Sequence, residues 1–174
     1  MDALDAIFNR RSVRSFLDKP IEEAKLRLIL AAAMSGPSCV NARDWSFIVV
    51  TAREQLKKMA DANGPYAAPL KSAACGILVC GDLERAFEQA RDYWIIDGAI
   101  AAQNIILCAE ALGLGSVWLG TWPQMERVKK QAELFRLPTT VVPHSVLALG
   151  YPAESERKLR VSRYEEGRVH RNEW

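Results

Sequence analysis

The chain has 174 residues, 25% of them charged and 49% hydrophobic, with a net charge of +2. That length and composition fit a single globular domain, residues 1–174, with a sizeable core. The near-neutral balance excludes a global field that would draw nucleic acid or an anionic membrane surface.

Leu4, Ile7 and Phe8 recur at helical spacing, so a short first helix is expected over residues 1–10. Pro20 opens a second helix, with Glu22 and Glu23 in the favourable first turn. Leu26, Ile29, Leu30 and Ala33 form its apolar face, and Gly36-Pro37 ends it. Residues 36–44 read as a loop. WSFIVV (45–50), CGILVCG (75–81) and VPHSVLALG (142–150) read as short buried strands. Residues 53–63 and 125–135 carry helical patterns.

Residues 93–112 have apolar side chains on nearly every azimuth, among them Ile95, Ile96, Ile100, Ile105, Ile106, Leu107 and Leu112. A helix apolar all round is expected to be buried all round. A domain of this size rarely covers such a helix alone, so a subunit interface is expected. A central helix inside the monomer is the other reading. The helices and strands do not follow a βαβα repeat, so the expected class is α+β with a central sheet.

The first dozen residues lack the apolar core of a secretory signal. The most apolar stretch, 95–114, is broken by Asp97, Gln103, Asn104 and Glu110, which argues against a membrane span. The four cysteines form no CxxC pair, and with two histidines no zinc pattern emerges. Reduced, buried thiols in a cytoplasmic protein are expected.

GLGSVWLG (113–120) resembles a dinucleotide fingerprint but has Trp118 where the third glycine belongs. Neither a P-loop nor a GxSxG elbow is present. Any chemistry is therefore expected to come from a cofactor. The feature that remains is RRSVR, with Arg10, Arg11 and Arg14 around Ser12. Guanidinium forks match phosphate geometry. Basic residues also suit a helix C-terminus, and position alone does not separate the two readings.

RRSVR (10–14), GPSCVNARDWSF (36–47), DGAIAAQNIILCAEALGLGSVWLG (97–120), LALGYPAE (147–154) and a basic tail ending in RYEEGRVHRNEW occur in this order. Together they resemble the nitroreductase family of flavoproteins across essentially the whole chain. The resemblance implies an α/β sandwich with a central mixed sheet flanked by helices. It also implies an intertwined homodimer with FMN at the subunit interface. The implied activity is ping-pong: NAD(P)H reduces the flavin by hydride transfer at N5, and a nitroaromatic, quinone or related acceptor reoxidises it.

By the same resemblance Arg10 would grip the FMN phosphate, Ser12 the ribityl region and Arg14 the N1–O2 edge of the ring, with a weaker role for Arg11. Lys158, Arg160 and Arg163 offer further charge to the phosphate, Arg160 being the first choice. Pro37, Ser38 and Asn41 match a loop reaching FMN from the partner subunit. Cys39 stands among them where serine is common. Val117, Trp118, Leu119 and Gly120 match the segment along the flavin, with a backbone N–H of Leu119 or Gly120 donating to N5. A buried strand with an aromatic plug is compatible with that role.

The chain departs from the family where Arg43-Asp44 replaces glutamine and proline, and Arg43 could favour anionic acceptors. The span 81–93 is too short for extra covering helices, so an open cleft or a small lid from Arg91, Tyr93 or Trp94 is expected. Two alternatives remain at this stage. One is a flavin-binding module for storage or sensing that turns over little NAD(P)H. The other is a relative with flavin-fragmenting or dehalogenating chemistry.

Overall fold

The computed structural model describes residues 1–153 and 163–174. Helix α1 (Ala3–Asn9) starts at Asp2, whose carboxylate accepts the Asp5 N–H at 2.8 Å. That satisfies one of the free amides of the first turn. Next come α2 (Glu23–Met34), β1 (Trp45–Val50) and α3 (Arg53–Asn63). Gly64 ends α3 at φ 89°, a conformation an L side chain rarely adopts. Then follow β2 (Cys75–Asp82), α4 (Tyr93–Ala111), β3 (Gly115–Gly120), α5 (Met125–Phe135) and β4 (Val141–Gly150).

The strands lie in the order β1-β2-β4-β3, every neighbouring pair antiparallel. The expected mixed sheet is thus antiparallel in its four strands, with a parallel bridge, Ser12 to Ser116, on the β3 edge. β3 is the strand that periodicity did not mark; Trp118 and Gly120 are its two exposed residues.

The two central strands are apolar but for Asp82 at the end of β2 and His144 and Ser145 in β4, because both faces are covered. Ile77, Val79, Leu147 and Leu149 meet α2 and α4 on one side. Leu78, Cys80, Val146 and Ala148 meet Leu56, Met59 and Ala60 of α3 on the other, with Leu134 and Phe135 of α5 packed against them. Each Val, Leu, Ile or Met among them contributes about 1.5–3 kcal/mol by leaving water. The result is the α+β sandwich expected from the sequence.

α4 counts against one of the two readings, a helix buried wholly inside the monomer. Within the chain it is buried on one face, through Trp94, Asp97, Gly98, Ala101, Ala102, Ile105, Ile106 and Ala109. Tyr93, Ile96 and Gln103 remain exposed, and Ile95, Ile96, Ala99 and Ile100 line an apolar hollow of about 450 Å³. By length and composition α4 would cross a membrane, yet Asp97 is buried in the chain's own core. Cys75 and Cys80 are buried and free, and burial pushes both thiols up to about 12. Cys39 and Cys108 are only half-buried, unlike the expectation for all four.

Candidate functional site

Arg10 closes α1 by donating its N–H to the Ala6 carbonyl at 3.1 Å. The following residues meet the outer edge of β3 at Ser116 and pass on to the segment after β4. Val13 donates to the Ser116 carbonyl at 2.9 Å, and Ser12 bridges Ser116. Further on, Ala153 donates to Ser15, Leu17 donates to Tyr151, and Phe16 bridges Pro152. Gly115 makes this approach possible, because a Cβ there would stand 2.7 Å from Val13 Cβ. RRSVR and VWLG, a hundred positions apart, become neighbours.

The arginines differ in their surroundings. Arg10 is half-buried, and its Nε has no protein acceptor. A buried guanidinium N–H without a partner is costly unless an anion meets it. Arg14 is exposed and reaches back to the Ser12 carbonyl at 3.4 Å. Arg11 is half-buried.

The register of β3 sorts its backbone groups. Ser116 turns its carbonyl outward to Val13, and Leu149, opposite it on β4, gives its own carbonyl to Ala74 on the far side. The pair Ser116–Leu149 is therefore non-hydrogen-bonded, and the antiparallel alternation extends this to Trp118–Leu147 and Gly120–Ser145. Val117 and Leu119 spend their amides on β4. Gly120 directs both N–H and carbonyl to the outer edge. It is exposed, and a Cβ built on it meets nothing within 4 Å.

The Gly120 carbonyl is held from two sides. Arg127 Nη1 of α5 donates to it at 2.8 Å, and Asn63 Nδ2, from the last residue of α3, at 3.3 Å. Asn63 Oδ1 accepts the Thr121 hydroxyl at 2.7 Å and Gln131 Nε2 at 3.4 Å. Gln131 also donates to the Met59 carbonyl at 2.9 Å. Asn63, Thr121 and Gln131 are all buried.

Trp118 stands on the same face of the strand, partly exposed and edge-on to His144 at 5.7 Å. His144 falls at the β-bulge in β4, between residues paired to Val79 and Cys80, which turns its ring toward α4. It also meets Trp94 edge-on at 5.9 Å. Burial lowers its pKa below the ordinary 6.5, so the ring is neutral at pH 7.

Residues 36–44 form a second cluster, anchored elsewhere. The Cys39 N–H donates to both carboxylate oxygens of Asp97, at 3.0 and 3.2 Å. Ser38 Oγ accepts the Arg43 N–H at 3.0 Å, and Asn41 Oδ1 accepts Arg43 Nε at 3.0 Å. Val40, Asn41 and Arg43 all have positive φ, at 45°, 58° and 52°. Such left-handed conformations cost energy in a side-chain-bearing residue, and here Asp97 holds the loop against that cost.

Arg43 points outward and lines a cavity of about 470 Å³ with Arg85, Met34, Trp45 and Phe47. Asp44 points inward, 1% exposed, and neither of its oxygens meets a donor. Burial first, and then the charge of Asp97, push its carboxyl up to about 6. Two carboxylates side by side lack a donor between them unless one keeps its proton.

Among the expected site residues, the structure sets the segment of Arg10, Arg11, Ser12 and Arg14 on Ser116, through Ser12 and Val13, next in the chain to Val117, Trp118, Leu119 and Gly120. Pro37, Ser38, Cys39 and Asn41 sit apart on the loop tied to α4. Arg163 is exposed, and Lys158 and Arg160 lie outside the described residues. Asn63, Thr121 and Arg127 carried no motif. Asn63-Gly64 reads locally as a helix stop, and only the fold brings it to β3. Among the described residues, no group of three or more His, Cys, Asp or Glu is placed to hold a metal ion.

The nitroreductase family model matches residues 7–74 and 62–151. A protein of Methanothermobacter thermautotrophicus is 43% identical over 174 residues, covering 100% of this chain and 88% of its own. It carries the provisional name NADH dehydrogenase/NAD(P)H nitroreductase. The FMN-dependent nitroreductase of Clostridium difficile R20291 superposes with a TM-score of 0.89 at 31% identity, over 98% of this chain and 99% of the other. The NADPH:FMN oxidoreductase of Vibrio harveyi complexed with NAD+ superposes at 0.86 and 26% identity, over 99% of this chain and 77% of the other.

Proposed function

The chain belongs to the nitroreductase family, and we propose that it is an FMN-dependent NAD(P)H oxidoreductase acting on nitroaromatics, quinones or related acceptors. The observation that carries this reading is the docking of RRSVR along β3. It sets a buried, unpartnered Arg10 Nε two residues before the contact with Ser116, on the strand that ends at Gly120, whose Cβ position is open. Those features fit the two ends of a flavin nucleotide: an anion for the guanidinium and a flat ring for the bare edge. When bound, FMN supplies the centre that accepts a hydride from NAD(P)H and passes it on.

In this reading Arg10 binds the phosphate, Ser12 the ribityl chain, and Arg14 the N1–O2 edge, where a fixed cation favours the reduced ring. Arg11 assists. Arg163, Lys158 or Arg160 adds charge at the phosphate. Trp118 flanks the ring, and Val117 and Leu119 support the strand from the core side. The register favours Gly120 over Leu119 as the donor to N5, since the Leu119 N–H faces β4.

The loop of Pro37, Ser38, Cys39 and Asn41 completes the site from a second copy of the chain. The exposed apolar face of α4, together with Leu4, Ile7 and Phe8 of α1, supports that homodimer. The whole chain then acts as one FMN-binding domain, in the cytoplasm. Neutral His144 lies behind Trp118, so no protein acid or base is assigned to the hydride step.

The test is reconstitution with FMN followed by anaerobic addition of NADH or NADPH. The flavin band near ~450 nm should bleach and recover on adding a quinone or nitroarene. Bound flavin that stays oxidised with both donors would leave a binding module without turnover. No bound flavin would overturn the reading.

A further inference from the structure

We infer that Asn63 and Arg127 are positioning residues that aim the Gly120 N–H into the flavin site, with Thr121 and Gln131 holding Asn63 in place. The inference rests on the functional reading above and adds residues that touch no ligand in it.

The argument starts from strand geometry. In an antiparallel strand, the N–H and carbonyl of one residue point to the same side. Fixing the Gly120 carbonyl therefore fixes the direction of the Gly120 N–H. At this point β3 has reached its end, because its pairing with β4 stops at Gly120–Ser145. Gly120 has no side chain to hold it, and no atom lies within 4 Å of where its Cβ would be. An unheld glycine at a strand end would sample many orientations. Instead, two donors from different helices converge on its carbonyl at 2.8 and 3.3 Å.

The second layer is committed to the same end. Asn63 Oδ1 takes the Thr121 hydroxyl at 2.7 Å and Gln131 Nε2 at 3.4 Å. This fixes which end of the Asn63 amide faces Gly120. The Gly120 carbonyl is thus clamped and its N–H shares that edge of the strand, while the face where a Cβ would stand is left open. A network serving stability alone would not need a bare glycine at its focus, and a hydrogen-bond donor presented to a ligand does need its direction held.

The test compares wild-type protein with Asn63→Leu, Arg127→Met and Arg127→Lys, each loaded with FMN. Three quantities are read: the visible spectrum of bound oxidised FMN, the single-turnover rate of flavin reduction, and the melting temperature of the apoprotein. Asn63→Leu and Arg127→Met should slow reduction about tenfold and alter the flavin band. Arg127→Lys, which keeps a donor, should restore most of both. Arg127 is only half-buried, so its variants decide the matter if Asn63→Leu does not fold. Variants that bind FMN with unchanged spectrum and rate overturn the inference and leave the functional reading standing. So does a loss confined to apoprotein melting temperature. A wild-type protein that binds no FMN overturns both.

Discussion

The two halves of the candidate site are held by opposite means. The arginine segment lies on β3 through backbone hydrogen bonds and a glycine gap at Gly115, and the Arg10 Nε spends no bond on holding it there. The loop of residues 36–44 is tied to the Asp97 carboxylate at Cys39 and to the Asp82 N–H at Asp44, and takes three left-handed residues to do so. Backbone pairing is insensitive to charge, whereas a buried acid pair is not. The first half should therefore respond to side-chain size and the second to pH.

The largest effect expected is on the arginine side. Arg10→Ala should weaken FMN binding by about 1.5–3 kcal/mol, the scale of a hydrogen bond to a charged group. Apoprotein stability should barely change, since Arg10 Nε has no protein partner to lose. Fluorescence titration with FMN reads this; an unchanged affinity removes Arg10 from the site.

Next comes the glycine gap. Gly115→Ala drives a methyl into Val13, and overpacking of this kind costs about 1–3 kcal/mol. Urea unfolding measures it. Gly120→Ala is the internal contrast: with open space around it, the apoprotein should stay within about 0.5 kcal/mol of wild type. FMN binding should still suffer. Equal losses of stability in the two variants would erase the distinction between a packing glycine and a ligand-facing one.

The loop should answer to pH. Folded Asp44 keeps its proton up to about pH 6, against an ordinary 3.8. Between those values the native chain binds more protons than the unfolded chain, so stability falls as pH rises from about 4 through 6, then levels off. Asp44→Asn should remove that slope and stabilise the protein above pH 6 by about 1–2 kcal/mol. Thermal melts from pH 4 to 8 check it; identical slopes in the two proteins would mean that Asp44 is not the group titrating.

The smallest effect expected is at Arg43. Arg43→Gln should change the relative KM for acidic against neutral quinones by a few-fold, about 0.2–1 kcal/mol for an exposed charge. No change would confine Arg43 to its bond with Asn41.

Much of this molecule is legible locally. WSFIVV, residues 53–63 and residues 125–135 form their elements at the positions where composition and period mark them. A strand buried on both faces must be mostly apolar, and an amphipathic helix must show its period, so burial writes itself into the sequence. RRSVR is legible too, because guanidinium chemistry is carried by residue type. What local pattern does not contain is partnership. β3 is short and one-sided, and it becomes a strand because β4 and the arginine segment pair with it on either edge. The helix at 93–111 is apolar enough to suggest burial all round, and only the packed fold shows which face the chain itself covers. The inward turn of Asp44 against Asp97, and the meeting of Asn63, Arg127 and Gly120 across three elements, depend on contacts between residues far apart in the chain. Residue type and period determined the elements and placed the guanidinium groups of residues 10–14. The tertiary structure decided which groups meet, because hydrogen bonds and close approaches at this range are set by how helices and strands pack, which no stretch of sequence specifies alone.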